Sequence, residues 1–401
     1  MSIIQLCITL VTSAGVSFRA VSKIFVNLNI YLNLNLGTPS HTTVLNWTKK
    51  QGIGHFVDKE SYSHEKWVLI ADESIQFGNK KLLLILAVPE KRCKQGKVLS
   101  YSDLTPLVLK VSASWKYENI VSQISQHIDL KQIAYCISDN GSNLTCAFKA
   151  LNCKHIMDVN HKFSLIIQSV FENNPLFNDY TKALSLLRTQ KSVSKIARIV
   201  SPNQRVMSRF MNLTPLFEWG RKMIILLNNN QLTQEEQSAL SFLESYRAFI
   251  FDTYQLLIRL NKMQKFLKNN GFNGKNAKKA MRLLSGMNSD NSLKIKRQLK
   301  DYFADLSFKA KESKTICCSS DIIESCFSRY KGLVKGNKSV GISDLCLCIA
   351  AMLGENNLDK TKYSMETIKV KQLKEWKTEN VSKTLFAEKK ELNKKVNDII
   401  Y

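Results

Sequence analysis

Lys131 to Ser164, KQIAYCISDNGSNLTCAFKALNCKHIMDVNHKFS, is the stretch whose reading decides the fold. Ile133 to Ile137 is a short apolar run that stops at Ser138-Asp139-Asn140-Gly141, and an amphipathic segment follows directly. A buried strand bounded by turn residues gives this pattern, and open α/β sheets gather their chemistry at the carboxyl tips of strands. The spacing predicts a strand that delivers Asp139 to a sheet edge. A second short strand, His155 to Val159, runs into Asn160-His161, so a second tip is expected to carry His161.

Upstream, Lys66 to Ser74 is an apolar run that ends in Asp72 and Glu73. Gly78-Asn79 supplies a turn and Lys81 to Val88 returns as a second apolar run, which together predict an antiparallel hairpin. A third strand is expected in Val108 to Ser112. Tyr117 to His127 follows as a helix, with Ile120, Val121, Ile124 and Ile128 at helical spacing. Three strands, a helix and a fourth strand, with acids at the tips of the first and fourth, resembles the order of a ribonuclease H-like sheet.

Downstream the patterns are almost all helical: Tyr180 to Arg188, Val193 to Ile199, Leu216 to Leu227, Thr233 to Phe266 and Lys279 to Phe303. That is too long for a loop, so residues 173–316 are expected to form a helical domain inserted between two parts of the sheet domain, 62–172 and 317–356. Ser319-Ser320-Asp321 is an N-cap signature for a helix over Ile322 to Tyr330, and another helix is expected over Ser343 to Leu353. Residues 357–401, dense in Lys and Glu, read as a basic, solvated helical tail.

Residues 1–58 read as helix, break, helix, in the manner of a helix-turn-helix. Pro39-Ser40 starts its second helix, His41 to Gln51, which would offer Thr42, Thr43, Asn46, Lys49 and Lys50 to a DNA groove. Any two-helix hairpin gives the same pattern. The apolar run Ile3 to Val16 lacks a basic region before it, and Arg19 and Lys23 follow, so it reads as a helix and not a signal peptide. A chain that starts almost inside a helix fits an end-binding segment missing ahead of it. The fold class expected is thus α/β plus α: a mixed sheet interrupted by a large all-helical insertion, behind a helix-turn-helix.

Composition narrows the partners. The 401 residues hold 58 Lys and Arg against 33 Asp and Glu, a net charge of +25. A chain so basic calls for a polyanion, with nucleic acid first; a basic surface with no partner is the plain alternative. Ten cysteines form no C-x-x-C pair, and Cys317-Cys318 and Cys346-Leu347-Cys348 are too close for ordinary zinc spacing, so reduced thiols of a cytosolic protein are expected. No segment approaches the length of a membrane span.

If the sheet forms as read, Asp72 and Asp139 meet at one edge, and Glu324 can join them from the helix after the insertion. Three carboxylates are what two hard divalent cations need in order to share one phosphate. Asp72 in VLIADESI, Asp139 in YCISDNGSNL and Glu324 in SSDIIESCFSRYKG look like the acids of DDE transposases of the bacterial insertion-sequence type, in the group with a helical insertion between the second Asp and the Glu. Asp158-Val-Asn-His161 matches that group's Cys or Asp, two residues, then His.

The resemblance implies a DNA transposase: metal-dependent strand cleavage at element ends, then attack of the freed 3′ hydroxyl on target DNA. It implies two Mg²⁺ or Mn²⁺ ions on Asp72, Asp139 and Glu324, His161 at the scissile phosphate, double-stranded DNA as partner, a homo-oligomer on that DNA and a bacterial, nucleoid-associated location in the cytoplasm. Trp219 resembles the aromatic that inserts beside an unpaired base in some of these enzymes. The alternatives are a transposase-derived DNA-binding protein without cleavage, or a nuclease with the same core and no strand transfer.

Residue by residue, the plain readings stand beside these roles. Asp72 can cap a strand, Asp139 can serve an Asx turn with Asn140-Gly141, and Glu324 can be a solvated residue in a first helical turn. His161 can be a hydrogen-bonded core histidine with Asp158 as its structural partner, and Trp219 a core aromatic. Arg205 and Arg209 read equally as phosphate contacts or surface charges.

Overall fold

The computed structural model describes residues 1–56, 66–77, 80–204, 209–310, 315–334, 342–383 and 385–400. It divides into two compact units, Met1–Ile156 with Ser319–Tyr401, and Met157–Cys318.

The first unit opens with α1 (Ser2–Thr12), α2 (Phe18–Leu32) and α3 (His41–Gly54). Ser17 and Ser40 start α2 and α3 by accepting from the backbone N–H of Ala20 and Thr43, the usual use of serine at a helix N-terminus. The apolar faces meet in a cluster of Cys7, Val11, Val21, Phe25 and Val44.

The sheet follows as β1 (Trp67–Phe77), β2 (Lys80–Pro89), the one-turn α4 (Glu90–Cys93), β3 (Thr105–Ser112), α5 (Tyr117–His127), β4 (Ile133–Ser138), α6 (Ser142–Ala150) and β5 (His155–Met157). Its order is β3-β2-β1-β4-β5. β1 runs antiparallel to β2, β2 antiparallel to β3, and β1 parallel to β4. Val68 to Ala71 and Leu82 to Val88 are fully buried, which needs cover on both faces and explains why these strands read as continuous apolar runs. On one face Trp67, Leu69, Ala71, Leu83, Ile85 and Cys136 pack against Ile120 and Ile124 of α5 and Leu144 and Phe148 of α6. Each such aliphatic contributes roughly 1.5–3 kcal/mol on burial.

The second unit is helical: α7 (Val159–Phe171), α8 (Pro175–Lys191), α9 (Thr214–Asn228), α10 (Gln234–Leu240), α11 (Arg247–Asn270), α12 (Gly274–Arg282) and α13 (Asp290–Ala310). Phe171, Phe177, Tyr180, Phe217 and Phe249 form its aromatic centre, with ring centroids 5.3 to 6.4 Å apart. α7, expected with the sheet domain, packs instead on α11 and α13. The single helix expected over Thr233 to Phe266 is broken by a 3-10 run, Ser241–Tyr246. There the hydroxyls of Ser241 and Ser245 bond back to the carbonyls of Ser238 and Phe242, at 2.9 and 2.7 Å, and compete with the α-helical ladder. The run expected over Lys279 to Phe303 is split between α12 and α13, where Gly286 turns at a φ of +77° and Ser289 caps the next helix. Val193 to Ile199 keeps only a 3-10 turn, Ala197–Ile199.

The chain returns to the first unit as α14 (Asp321–Val334), α15 (Leu347–Ala351), α16 (Leu358–Thr367), α17 (Val370–Asn380) and α18 (Leu385–Ile400). α14 packs against β1 and α15 against β3. Neither contributes to the cluster under α5 and α6, so they cover the opposite face of the sheet. The solvated tail expected from 357 is a packed layer in its first part: Thr361, Ser364, Ile368 and Leu373 are buried, and α16 and α17 lie on α3. Val381 then bridges to Val111, which covers part of edge strand β3. Among the described residues no helix is long and apolar enough to cross a membrane.

Candidate functional site

Strand register places two of the expected acids side by side. Leu69 pairs with Cys136 and Ile70 with Ile137 in the parallel β1/β4 ladder. Continued by two residues, that register sets Asp72 opposite Asp139, one position past the end of β4. Neighbouring strands lie about 4.8 Å apart. Both are half-buried.

Asp139 is held by its own turn. Its Oδ1 accepts from the Gly141 N–H at 2.8 Å, an Asx turn that leads into α6. Below it, Ser138 is fully buried, and its Oγ lies 2.9 Å from both the Asp139 carbonyl and Nε2 of His155. With the hydroxyl proton given to the carbonyl, Ser138 accepts from the imidazole, so β5 braces the tip of β4. A Cβ on Gly141 would lie 2.9 Å from Asp139 Oδ1, which leaves glycine the residue that fits beside that carboxylate.

Side chains alternate along a strand, so Asp72 shares its face with Val68 and Ile70 while Glu73 shares one with Leu69 and Ala71. Asp72 thus belongs to the face covered by α14, and Glu73 to the face of α6, where Asn143 Nδ2 donates to its Oε1 at 3.4 Å. The other oxygen, Glu73 Oε2, is buried and has no hydrogen-bond partner among the described residues. Burial pushes the Glu73 carboxyl above its usual range; the Asn143 bond and the charge of Lys81 pull it down, and the charge of Asp139 adds to the rise. β1 runs on to Phe77, so Asp72 and Glu73 lie midway along it and not at the expected tip, and alternation sends these adjacent acids to opposite faces.

Glu324 lies in the first turn of α14, which suits a carboxylate because unpaired backbone N–H groups point that way. The helix buries Ile323, Cys326, Phe327 and Tyr330 as a stripe; Glu324 is about 100° round from Ile323 and exposed. Tyr101 Oη meets Ser325 Oγ at 2.6 Å, and Arg329 donates to the Thr12 carbonyl at 2.7 Å while stacking 4.9 Å over the Tyr101 ring. These contacts tie α14 to the turn at Tyr101 and to the end of α1. Asp321 begins the helix and does not precede it as a cap. Among the described residues no three His, Cys, Asp or Glu side chains converge in a geometry ready to hold a metal ion. The donor set nonetheless fits a hard cation in kind: carboxylate oxygens midway along β1 and just past β4, one of them buried and without a hydrogen-bond partner among the described residues.

The other expected residues fall elsewhere. His161 belongs to the second unit and to no strand tip: β5 ends at Met157, and His161 sits in the first turn of α7, where Asp158 caps the helix by accepting from the N–H groups of Asn160 and His161 at 2.7 and 3.1 Å. Trp219 is in the core of the second unit, 9% exposed, and is no free aromatic for base insertion. Arg205 lies outside the described residues, as does the side chain of Arg209.

The helix-turn-helix reading is corrected as well. Eight residues, Asn33 to Ser40, separate α2 from α3, against the three or four of a helix-turn-helix turn. α3 is packed by α1, α2, α15, α16 and α17, so it cannot lie along a groove. Lys49 is buried, and its ammonium donates to Asp344 at 2.7 Å. Lys50 is half-buried and reaches the Met365 carbonyl at 3.5 Å. Thr42 is exposed, Thr43 meets Ser40 Oγ at 2.9 Å, and Asn46 is half-buried. None of the ten cysteines is in a disulfide, and most of them are buried. No protein-family model matches the chain, and no curated protein matches its sequence.

Proposed function

We propose that the chain is a DNA strand-processing enzyme with a ribonuclease H-like core, similar to DDE transposases. The observation that carries this reading is the register of β1 and β4, whose continuation past the Ile70–Ile137 pair brings Asp72, midway along β1, level with Asp139 just beyond β4. The sheet order, with three antiparallel strands and a parallel fourth, supports the same core. So does α14, which packs on β1 and carries Glu324 in its first turn. The net charge of +25 supports a polyanionic substrate.

Asp72 and Asp139 would hold two Mg²⁺ or Mn²⁺ ions, with Glu324 as the acid from α14 and Glu73 as a neighbour on the α6 side. Bound there, such ions activate an attacking water or 3′ hydroxyl and stabilise the leaving oxygen. Asp139 is kept aimed by Ser138, His155 and the Gly141 N–H, so its orientation is set before substrate arrives. Asp139→Asn keeps the Asx turn and removes the charge. It should abolish Mg²⁺-dependent cleavage of a labelled duplex and leave salt-sensitive DNA binding intact. Cleavage at the wild-type rate by this variant sinks the reading; joined strands among the wild-type products mark a transposase, and nicks alone a nuclease.

A further inference from the structure

The second unit carries a feature that the proposed chemistry does not use. α12 and α13 enclose a groove of about 700 Å³. Its rim holds two pairs of cations at one-turn spacing, Lys278 with Arg282 on α12 and Lys296 with Lys300 on α13. Like charges at that spacing repel one another and weaken a helix, and here two such pairs line one depression. Among the described residues no carboxylate lines it. Lys296 is tied to the Met287 carbonyl, while Lys278, Arg282 and Lys300 are exposed. Between the two rims the groove is apolar, lined by Met281, Leu284 and Phe303.

Cations above an apolar floor ask for a ligand that is anionic along one edge and apolar along the other. An unpaired nucleic acid strand has this make-up, with phosphates on one side and bare base faces on the other. A duplex shows mainly its phosphates and keeps its base faces stacked inside, so it would leave the floor unused. We propose that the α12–α13 groove binds single-stranded nucleic acid, with phosphates on Lys278, Arg282 and Lys300 and a base or sugar against Met281 and Phe303. This deepens the reading of DNA strand processing and rests on it only for the source of the strand.

The test is fluorescence anisotropy of a short fluorescein-labelled thymidine oligonucleotide with the full chain in EDTA. Lys278→Glu/Arg282→Glu/Lys300→Glu should weaken binding at least about 10-fold and flatten the plot of log affinity against log salt by about 2, at about 0.7 per phosphate contact. Ala277→Phe adds bulk to the groove without changing charge, and should also cost about 10-fold. The matching reversal of exposed lysines in the other unit, Lys362→Glu/Lys374→Glu/Lys377→Glu, should change little. The proposal is overturned if that control weakens binding as much as the groove variant, if Ala277→Phe binds normally, or if a duplex competes on equal terms. Strand binding that depends on the groove in a protein that cuts no DNA would refute the catalytic reading alone. Metal-dependent cleavage with unaltered strand binding by the groove variants would refute the groove alone.

Discussion

Acid should loosen the first unit through one histidine. His55 follows α3 directly and is buried; its Nδ1 lies 2.8 Å from the Ala350 carbonyl of α15, and its Nε2 lies 2.9 Å from Gln51 Nε2. The carbonyl only accepts, so Nδ1 carries the proton and the bare Nε2 takes the Gln51 amide proton. A second proton would face that amide donor in a site closed to water. Burial lowers the imidazole from 6.5 to about 4; the Ala350 bond opposes this, and the charge of Lys360 adds to it. At about 1.4 kcal/mol per pH unit, the preference for the neutral ring is about 3 kcal/mol.

The sign follows from proton counts. Between 6.5 and about 4 the unfolded chain binds a proton that the folded chain refuses, so stability is complete above 6.5 and falls steadily as pH drops towards 4. Urea melts followed by tryptophan fluorescence report chiefly on this unit, because Trp47, Trp67, Trp115 and Trp376 lie in it and only Trp219 lies in the other. His55→Asn keeps an N–H for Ala350 and cannot titrate. The wild type should lose about 3 kcal/mol more than this variant between pH 7.5 and 4. Parallel losses in the two proteins would refute the argument, and would mean that the Gln51 amide turns its unpartnered Oε1 to the imidazolium.

Gly141→Ala should cut any metal-dependent cleavage by up to about 100-fold with little change in melting temperature, because its Cβ displaces Asp139 Oδ1 and not the core. Gly52→Ala should destabilise the first unit by about 3 kcal/mol in urea melts, since its Cβ would lie 2.4 Å from the Leu347 carbonyl oxygen of α15, a backbone atom that cannot move alone. Lys49→Met should cost about 2 kcal/mol by leaving Asp344 unpaired, and adding Asp344→Leu should restore most of it. Gel-shift affinity for duplex DNA should hardly respond to Lys49→Met, whereas a groove contact at Lys49 would lower it by a marked factor.

The strands were legible because burial on both faces writes a plain apolar run, as in Leu82 to Val88, and α14 because Ile323, Cys326, Phe327 and Tyr330 repeat at helical spacing. The packing of α3 was not legible, since the residues it buries include Thr48, Lys49, Gln51 and Gly52, which read as a polar surface. Thr48 is satisfied within the helix by the Val44 carbonyl, Gly52 permits the close approach of α15, and Lys49 finds Asp344 almost three hundred residues later. Partners so distant leave no local mark. Between His155 and Val159 the apolar pattern reads as strand two residues too far: Asp158 two residues before Asn160 is an N-cap pattern, and the cap ends β5 at Met157 and starts α7 at Val159.

The same reasoning ranks the acids. A motif reading treats Asp72 and Glu73 as one feature, but a strand sends neighbouring side chains to opposite faces, so the two make different claims. Asp72 can act with Glu324 only across the α14 face; Glu73 faces α6, where burial raises its carboxyl and the charge of Asp139 adds to the rise. Asp139, one position past β4, is level with Asp72 by register and adds its charge to Glu73, so it is common to either pairing. Comparing Asp72→Asn with Glu73→Gln therefore separates them: if cleavage survives the first and fails in the second, the working pair lies on the α6 side and Glu324 has no part in it.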